Sequence, residues 1–108
     1  MKPKLLNSQV IILCGGKGKR LGSLTKKVPK PLVKVGKLPI IEHKLNYYVK
    51  QGLSNFIFCI GYKGDLIKKF VKRKYNNSIF YNGGINAGIL KRIHLAKKSI
   101  KNTSIISY

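Results

Sequence analysis

Short β-branched and aromatic runs alternate with amphipathic stretches along the whole of this chain. Val10 to Leu13, Val33 to Val35, Phe56 to Ile60, Ile79 to Tyr81 and Ser104 to Ser107 are each brief and rich in strand-forming side chains, and they predict five strands. Between them, apolar positions recur at helical spacing. Ile40, Ile41, Leu45, Tyr48 and Val49 make one stripe, with Pro39 suited to a first helical position and Gly52 to the stop. A second helix is expected to start near Asp65 as its N-cap and to turn Leu66, Ile67, Phe70 and Val71 inward. A third is expected from about Ala87 to Ser99, with Ile89, Leu90, Ile93 and Ala96 on one side.

Alternation of this kind argues for an α/β three-layer sandwich, a mainly parallel sheet with helices packed on it through right-handed crossovers. Ligands of such sheets bind at the carboxyl ends of the strands. Three loops there are glycine-rich: Gly15 to Leu21, Gly61 to Gly64, and Asn82 to Gly88. No repeat or low-complexity linker divides residues 1–108, so one unit with no internal boundary is expected. The final strand stops at Tyr108 with no ligand loop after it, and the chain is expected to be the N-terminal part of a longer protein, truncated at its C-terminus.

Charge changes this picture little. Lys and Arg number 23 against two acids, Glu42 and Asp65, a formal charge of +21 that attracts polyanions non-specifically. The lysines are spread along the chain instead of forming a tail or a block, so a specific nucleic-acid partner is not expected; Lys68, Lys69, Lys72, Arg73 and Lys74 come nearest to a cluster, on the polar face of the second helix. Cys14 and Cys59 stand in or beside apolar runs without CxxC spacing, and are expected as small buried hydrophobes. His43 and His94 lack a partner at ligand spacing. No apolar stretch approaches the roughly 20 residues of a membrane span, and a soluble, cytoplasmic protein with no membrane partner is expected.

The chemistry concentrates in Cys14-Gly15-Gly16-Lys17-Gly18-Lys19-Arg20-Leu21, directly after the first strand. Closely spaced glycines leave backbone N–H groups bare enough to reach an anion, and Arg20 and Lys30 supply charge. A Walker A loop needs a Gly-Lys-Ser/Thr that is absent here. A dinucleotide fingerprint needs glycine at position 21, which is Leu, and Glu42 falls in a helix instead of at a strand end.

The segment as a whole resembles the sugar-phosphate nucleotidyltransferases. Their signature is a strand, then Gly-Gly-x-Gly-x-Arg-Leu, then Pro-Lys-Pro-Leu and a proline that opens a helix; the matching residues are Gly15, Gly16, Gly18, Arg20, Leu21, Thr25, Pro29, Lys30, Pro31, Leu32, Val35 and Pro39. Gly61-Tyr62-Lys63-Gly64 is similar to the loop after the third strand in the cytidylyl- and guanylyltransferase branches. Ala87-Gly88-Ile89-Leu90-Lys91 is similar to the helix start that such proteins place against the base. The likeness runs from Val10 to Tyr108 and implies a Rossmann-like fold.

The resemblance also implies a reaction. A sugar 1-phosphate oxygen attacks the α-phosphorus of a nucleoside triphosphate, pyrophosphate leaves, and an NDP-sugar forms. Arg20 and Lys30 would be catalytic, the first offsetting charge on the leaving pyrophosphate and the second bridging the two phosphates that must approach. Leu13, Cys14, Gly15, Gly16, Gly18, Lys19, Arg20, Lys30, Asn86 and Gly88 would bind the nucleotide. Partners would be the triphosphate and the sugar 1-phosphate, with a homo-oligomer left open.

Three departures stand against the pattern. Lys19 replaces a common Thr, Ile89 stands where glucose-1-phosphate cytidylyltransferases tend to have Arg, and the family's metal-binding Asp is missing. Magnesium is implied as cofactor with its ligand expected beyond Tyr108 and none within this chain, and the 108 residues alone are expected to be inactive. A non-catalytic nucleotide-binding module and a basic nucleic-acid-binding domain stay as alternatives.

Overall fold

The computed structural model describes residues 8–16, 22–75, 78–84, 88–100 and 104–107. Four strands form a sheet: β1 (Gln9–Leu13), β4 (Asn55–Ile60), β5 (Ile79–Asn82) and β6 (Ser104–Ser107), in the order β5-β4-β1-β6 with every pair parallel. Gln9 stands opposite Asn55 on one side and Ser104 on the other, and Leu13 reaches Cys59. The chain thus runs outward from β1 to β5 and then returns to the far side of β1. That reversal makes β1 the topological switch, and its carboxyl end the crevice where such sheets take ligands.

Both faces of the sheet are covered, which is why its central strands read as nearly continuous apolar runs. Val10, Ile12, Phe56, Phe58 and Ile60 face one side, where they pack with Ile41 and Leu45 of helix α2 (Ile40–Lys50) and Ile67 and Val71 of helix α3 (Gly64–Lys72). Ile11, Ile57 and Cys59 face the other, against Ala96 of helix α4 (Ile89–Ala96). This is the expected three-layer, Rossmann-like sandwich with a parallel sheet. Phe58 and Phe80 stack at 5.2 Å between centroids, joining β4 to β5.

Several local expectations are corrected. Val33 to Val35 yields only β2 (Lys34–Val35), which pairs antiparallel with a two-residue β3 (Leu38–Pro39), apart from the main sheet. Gly36 at φ +69° lets the chain reverse there. Pro39 has an extended backbone and precedes the first helical residue instead of occupying that position. A short helix α1 (Leu24–Lys27) and a 3₁₀ turn at Lys30–Leu32 were not expected.

Gly52 stops α2 as foreseen. At φ +86° it donates its N–H to the Val49 carbonyl while Leu53 donates to Tyr48, a Schellman closure that buries Leu53. Asp65 does not cap α3. Gly64 is already helical, because the lack of a side chain lets it sit against Ile60, whose Cβ would be 3.0 Å from an added Cβ. Asp65 lies exposed in the first turn, where its charge complements the helix dipole.

The inward faces are narrower than the sequence stripes. Val49 and Leu66 are exposed, and Leu90 is 84% exposed. Arg92 and Ala96, one helical turn apart, hold the buried side of α4 and leave Leu90 on the opposite side.

Candidate functional site

The described parts of the three glycine loops expected at the strand ends meet at Gly15, Gly61 and Gly84, backbone on backbone. The β1–β4 pairing continues past both strands, with the Cys14 N–H donating to Cys59 O and the Tyr62 N–H to Gly15 O, each at 3.0 Å. The Gly83 N–H likewise donates to Ile60 O. Gly61 sits in the centre: an added Cβ would meet Gly84 O at 2.5 Å and Gly15 O at 2.8 Å. Only a residue without a side chain fits that gap. Gly84, at φ +85°, is turned by the Asn82 side chain, whose Oδ1 accepts its N–H at 2.8 Å.

Arg92 lies beneath this junction and was not singled out in the sequence. It is 7% exposed, and its Nη2 donates to Gly15 O at 3.1 Å and to Gly84 O at 3.3 Å. The guanidinium rests on Gly15, where an added Cβ would stand 2.4 Å from Nε. Among the described residues Nε has no hydrogen-bond partner. A buried arginine satisfied by carbonyls leaves no signal in an apolar-periodicity pattern; a lone charge at i−4 from a buried alanine was the only hint.

On the other face of β1 a cavity of about 460 Å³ opens beside Gly16. Ile12, Leu13, Cys14, Pro31, Ile40 and Ile41 make its apolar walls, and Lys30 and Lys44 bring two ammonium groups to it. Lys30 opens a tight 3₁₀ turn at the foot of α2, with Pro29 at its N-cap and Pro31 inside it. Lys44 lies one turn along that helix from Ile40 and was also missed, as it reads on sequence as one more surface lysine. It is half-buried, and burial lowers its pKa, with the Lys30 charge acting in the same direction.

Of the residues expected to bind nucleotide, Leu13, Cys14, Gly16 and Lys30 share this cavity, while Gly15 is buried behind it against Arg92. Gly88 is exposed at the N-cap of α4, its carbonyl accepting the Arg92 N–H. Gly18, Lys19, Arg20 and Asn86 lie outside the described residues. Thr25 belongs to the scaffold: its hydroxyl donates to Gly22 O, and its carbonyl accepts the Tyr62 hydroxyl at 2.7 Å, which ties α1 to the loop after β4.

Cys14 and Cys59 are free and buried, as expected. Burial, with Cys59 adding, pushes the Cys14 thiol up to about 12, so it stays neutral at ordinary pH. His43 is engaged structurally, donating from Nε2 to Val35 O at 2.7 Å.

The acids do not fit a metal at the cavity. Glu42 is buried on α2 in an ion pair with Lys74, a contact that raises the lysine pKa, and Asp65 sits on α3. No group of three His, Cys, Asp or Glu able to hold a metal occurs among the described residues. No helix among them is long and apolar enough to cross a membrane.

The chain is 44% identical over 62 residues to a probable glucose-1-phosphate cytidylyltransferase of Bacillus subtilis, a match covering 57% of this chain and 24% of that protein. It is 32% identical over 96 residues to a D-glycero-alpha-D-manno-heptose 1-phosphate guanylyltransferase of Aneurinibacillus thermoaerophilus, covering 89% of this chain and 41% of the relative. Among solved structures, CTP:phosphocholine cytidylyltransferase from Streptococcus pneumoniae superposes with a TM-score of 0.77 at 29% identity, over 92% of this chain and 43% of that one. The chain therefore spans a quarter to somewhat under a half of these proteins. Residues 9–103 match the nucleotidyl transferase family, and the chain belongs to it.

Proposed function

We propose that this chain is the nucleotide-binding part of a sugar-1-phosphate nucleotidyltransferase. One observation carries the proposal: a single cavity at the carboxyl end of the switch strand β1 joins the glycine loop at Gly16 to the ammonium of Lys30. Bare N–H groups and a cation at one strand end suit a polyphosphate. The apolar walls suit the less polar parts of a nucleotide or sugar.

In the proposed reaction the 1-phosphate oxygen of a sugar attacks the α-phosphorus of the triphosphate, and the bond to pyrophosphate breaks. The two substrates repel each other. Lys30, held between two prolines, would sit between their phosphates, and Arg20 would take up charge on the leaving group. Leu13, Cys14, Gly15, Gly16, Gly18 and Lys19, with Asn86 and Gly88, would hold the nucleotide. Magnesium belongs to the proposal as the ion that commonly shields such phosphates, and neither Glu42 nor Asp65 stands at the cavity to hold it.

The names of the relatives point to CTP or GTP as donor. Calorimetric titration with the four ribonucleoside triphosphates tests the proposal. Binding of one of them, weakened by Lys30→Ala, is the expected result. Absence of binding to all four would exclude it.

A further inference from the structure

Resting on that nucleotide-binding role, we infer that Arg92 is the positioning residue of the phosphate loop, fixing the Gly15–Gly16 peptide so that the Gly16 N–H faces the cavity.

A trans peptide holds its C=O and the following N–H on opposite sides. The two donors on the Gly15 carbonyl, the Tyr62 N–H at 3.0 Å along the sheet and the Arg92 guanidinium from the helix side, therefore together aim the Gly16 N–H. Arg92 Nη2, 3.1 Å from that oxygen, approaches from α4, which packs on the Ile11, Ile57 and Cys59 face of the sheet. The cavity lies on the opposite face, between β1 and α2. Gly16 is exposed there, with nothing within 4 Å of an added Cβ.

The same Nη2 reaches Gly84 O at 3.3 Å, so one guanidinium sets two glycine loops at once. The partners of Nη2 are carbonyls, Nε has no partner among the described residues, and no carboxylate among those residues pairs with the positive charge directly behind the loop. A charge buried in that way acts over a short, poorly screened path on an anion bound in front of it. It also accounts for Gly15, since any Cβ there would displace the guanidinium.

Inorganic tripolyphosphate, the corresponding nucleoside and the triphosphate are the probes, titrated calorimetrically and by the amide resonances of the labelled protein. Arg92→Met is expected to weaken tripolyphosphate and triphosphate by about tenfold or more while leaving nucleoside binding within about twofold. The Gly16 amide should no longer shift on titration, although the amides of Ile11 and Ile57 keep their folded positions. Arg92→Lys, which retains a charge and one donor, should recover part of the loss. Gly15→Ala should mimic Arg92→Met, and the double variant should be no weaker than the worse single one.

Wild-type binding of tripolyphosphate that is equally tight in Arg92→Met, with the Gly16 shift intact, overturns the inference and leaves the nucleotide role standing. A wild-type protein that binds no triphosphate overturns the nucleotide role and this inference with it. Should Arg92→Met fail to fold, Arg92→Lys and Gly15→Ala decide by the same readouts.

Discussion

Gly61 lies so close to Gly84 that a Cβ on the one would stand 2.5 Å from the carbonyl oxygen of the other. The loops after β4 and β5 meet through bare backbone, and the loop after β1 joins them at Gly15 O, 2.8 Å from the same point. Gly61→Ala should cost about 1–3 kcal/mol of stability from overpacking against atoms that cannot swing aside, and it should weaken triphosphate binding as well. Gly16→Ala meets open space and should unfold at the same denaturant midpoint as wild type. Denaturant titration of both variants checks the contrast.

Tyr62→Phe removes the hydroxyl that donates to Thr25 O at 2.7 Å. The loss should be about 1 kcal/mol in a urea melt, with the chain otherwise folded. An unchanged midpoint would mean that the tie between α1 and the loop does not persist in solution.

The Cys14 thiol, raised from 9.0 to about 12, sets a sign for alkaline stability. Below pH 9 the thiol is protonated whether the chain is folded or not. Above it the unfolded chain loses this proton first, so stability should fall as pH climbs from about 9 toward 12, by at most about 4 kcal/mol. The comparison that isolates the effect is Cys14→Ala, whose stability should decline less steeply over that window.

Lys44 has the opposite displacement, its pKa lowered by burial and by Lys30. Its charge is therefore lost at a lower pH than that of an ordinary lysine, and with it part of the attraction for phosphate. Tripolyphosphate affinity should begin to fall with rising pH earlier in wild type than in Lys44→Arg, which stays charged. Lys44→Met should be weaker throughout and nearly flat on the approach to that range.

Turnover of a protein carrying this chain should drop about 10²-fold or more in Lys30→Ala, and similarly in Arg20→Ala. Pyrophosphate release from triphosphate and sugar 1-phosphate measures it. Near-normal rates in either variant would remove that residue from the proposed chemistry.

Much of the fold was legible because strands buried on both faces must be written in β-branched and aromatic residues. Val10 to Leu13 and Phe56 to Ile60 could be read without knowing their neighbours. Helix faces were read less well, since a stripe of apolar residues does not say how wide a face the partner covers. Leu90 and Arg92 show the failure most sharply: the leucine is exposed and the arginine is buried.

Gly16 and Lys30 could be picked out from residue type and order, and the structure brings the two to one cavity. Asp65 as a cap was a misreading of a local rule, overturned by a contact from Ile60 that lies outside the helix.

The sequence by itself determined the alternation of strand and helix, the glycine loops at the strand ends and the family to which they are similar, all of which depend on local pattern and on residues close in the chain. Tertiary structure alone decided that Arg92 belongs inside, that Lys44 joins Lys30 at one cavity, and that Gly15, Gly61 and Gly84 form one junction. Burying a charge or excluding a side chain depends on atoms brought from as far as 77 positions away, and those partners exist only once the sheet has closed.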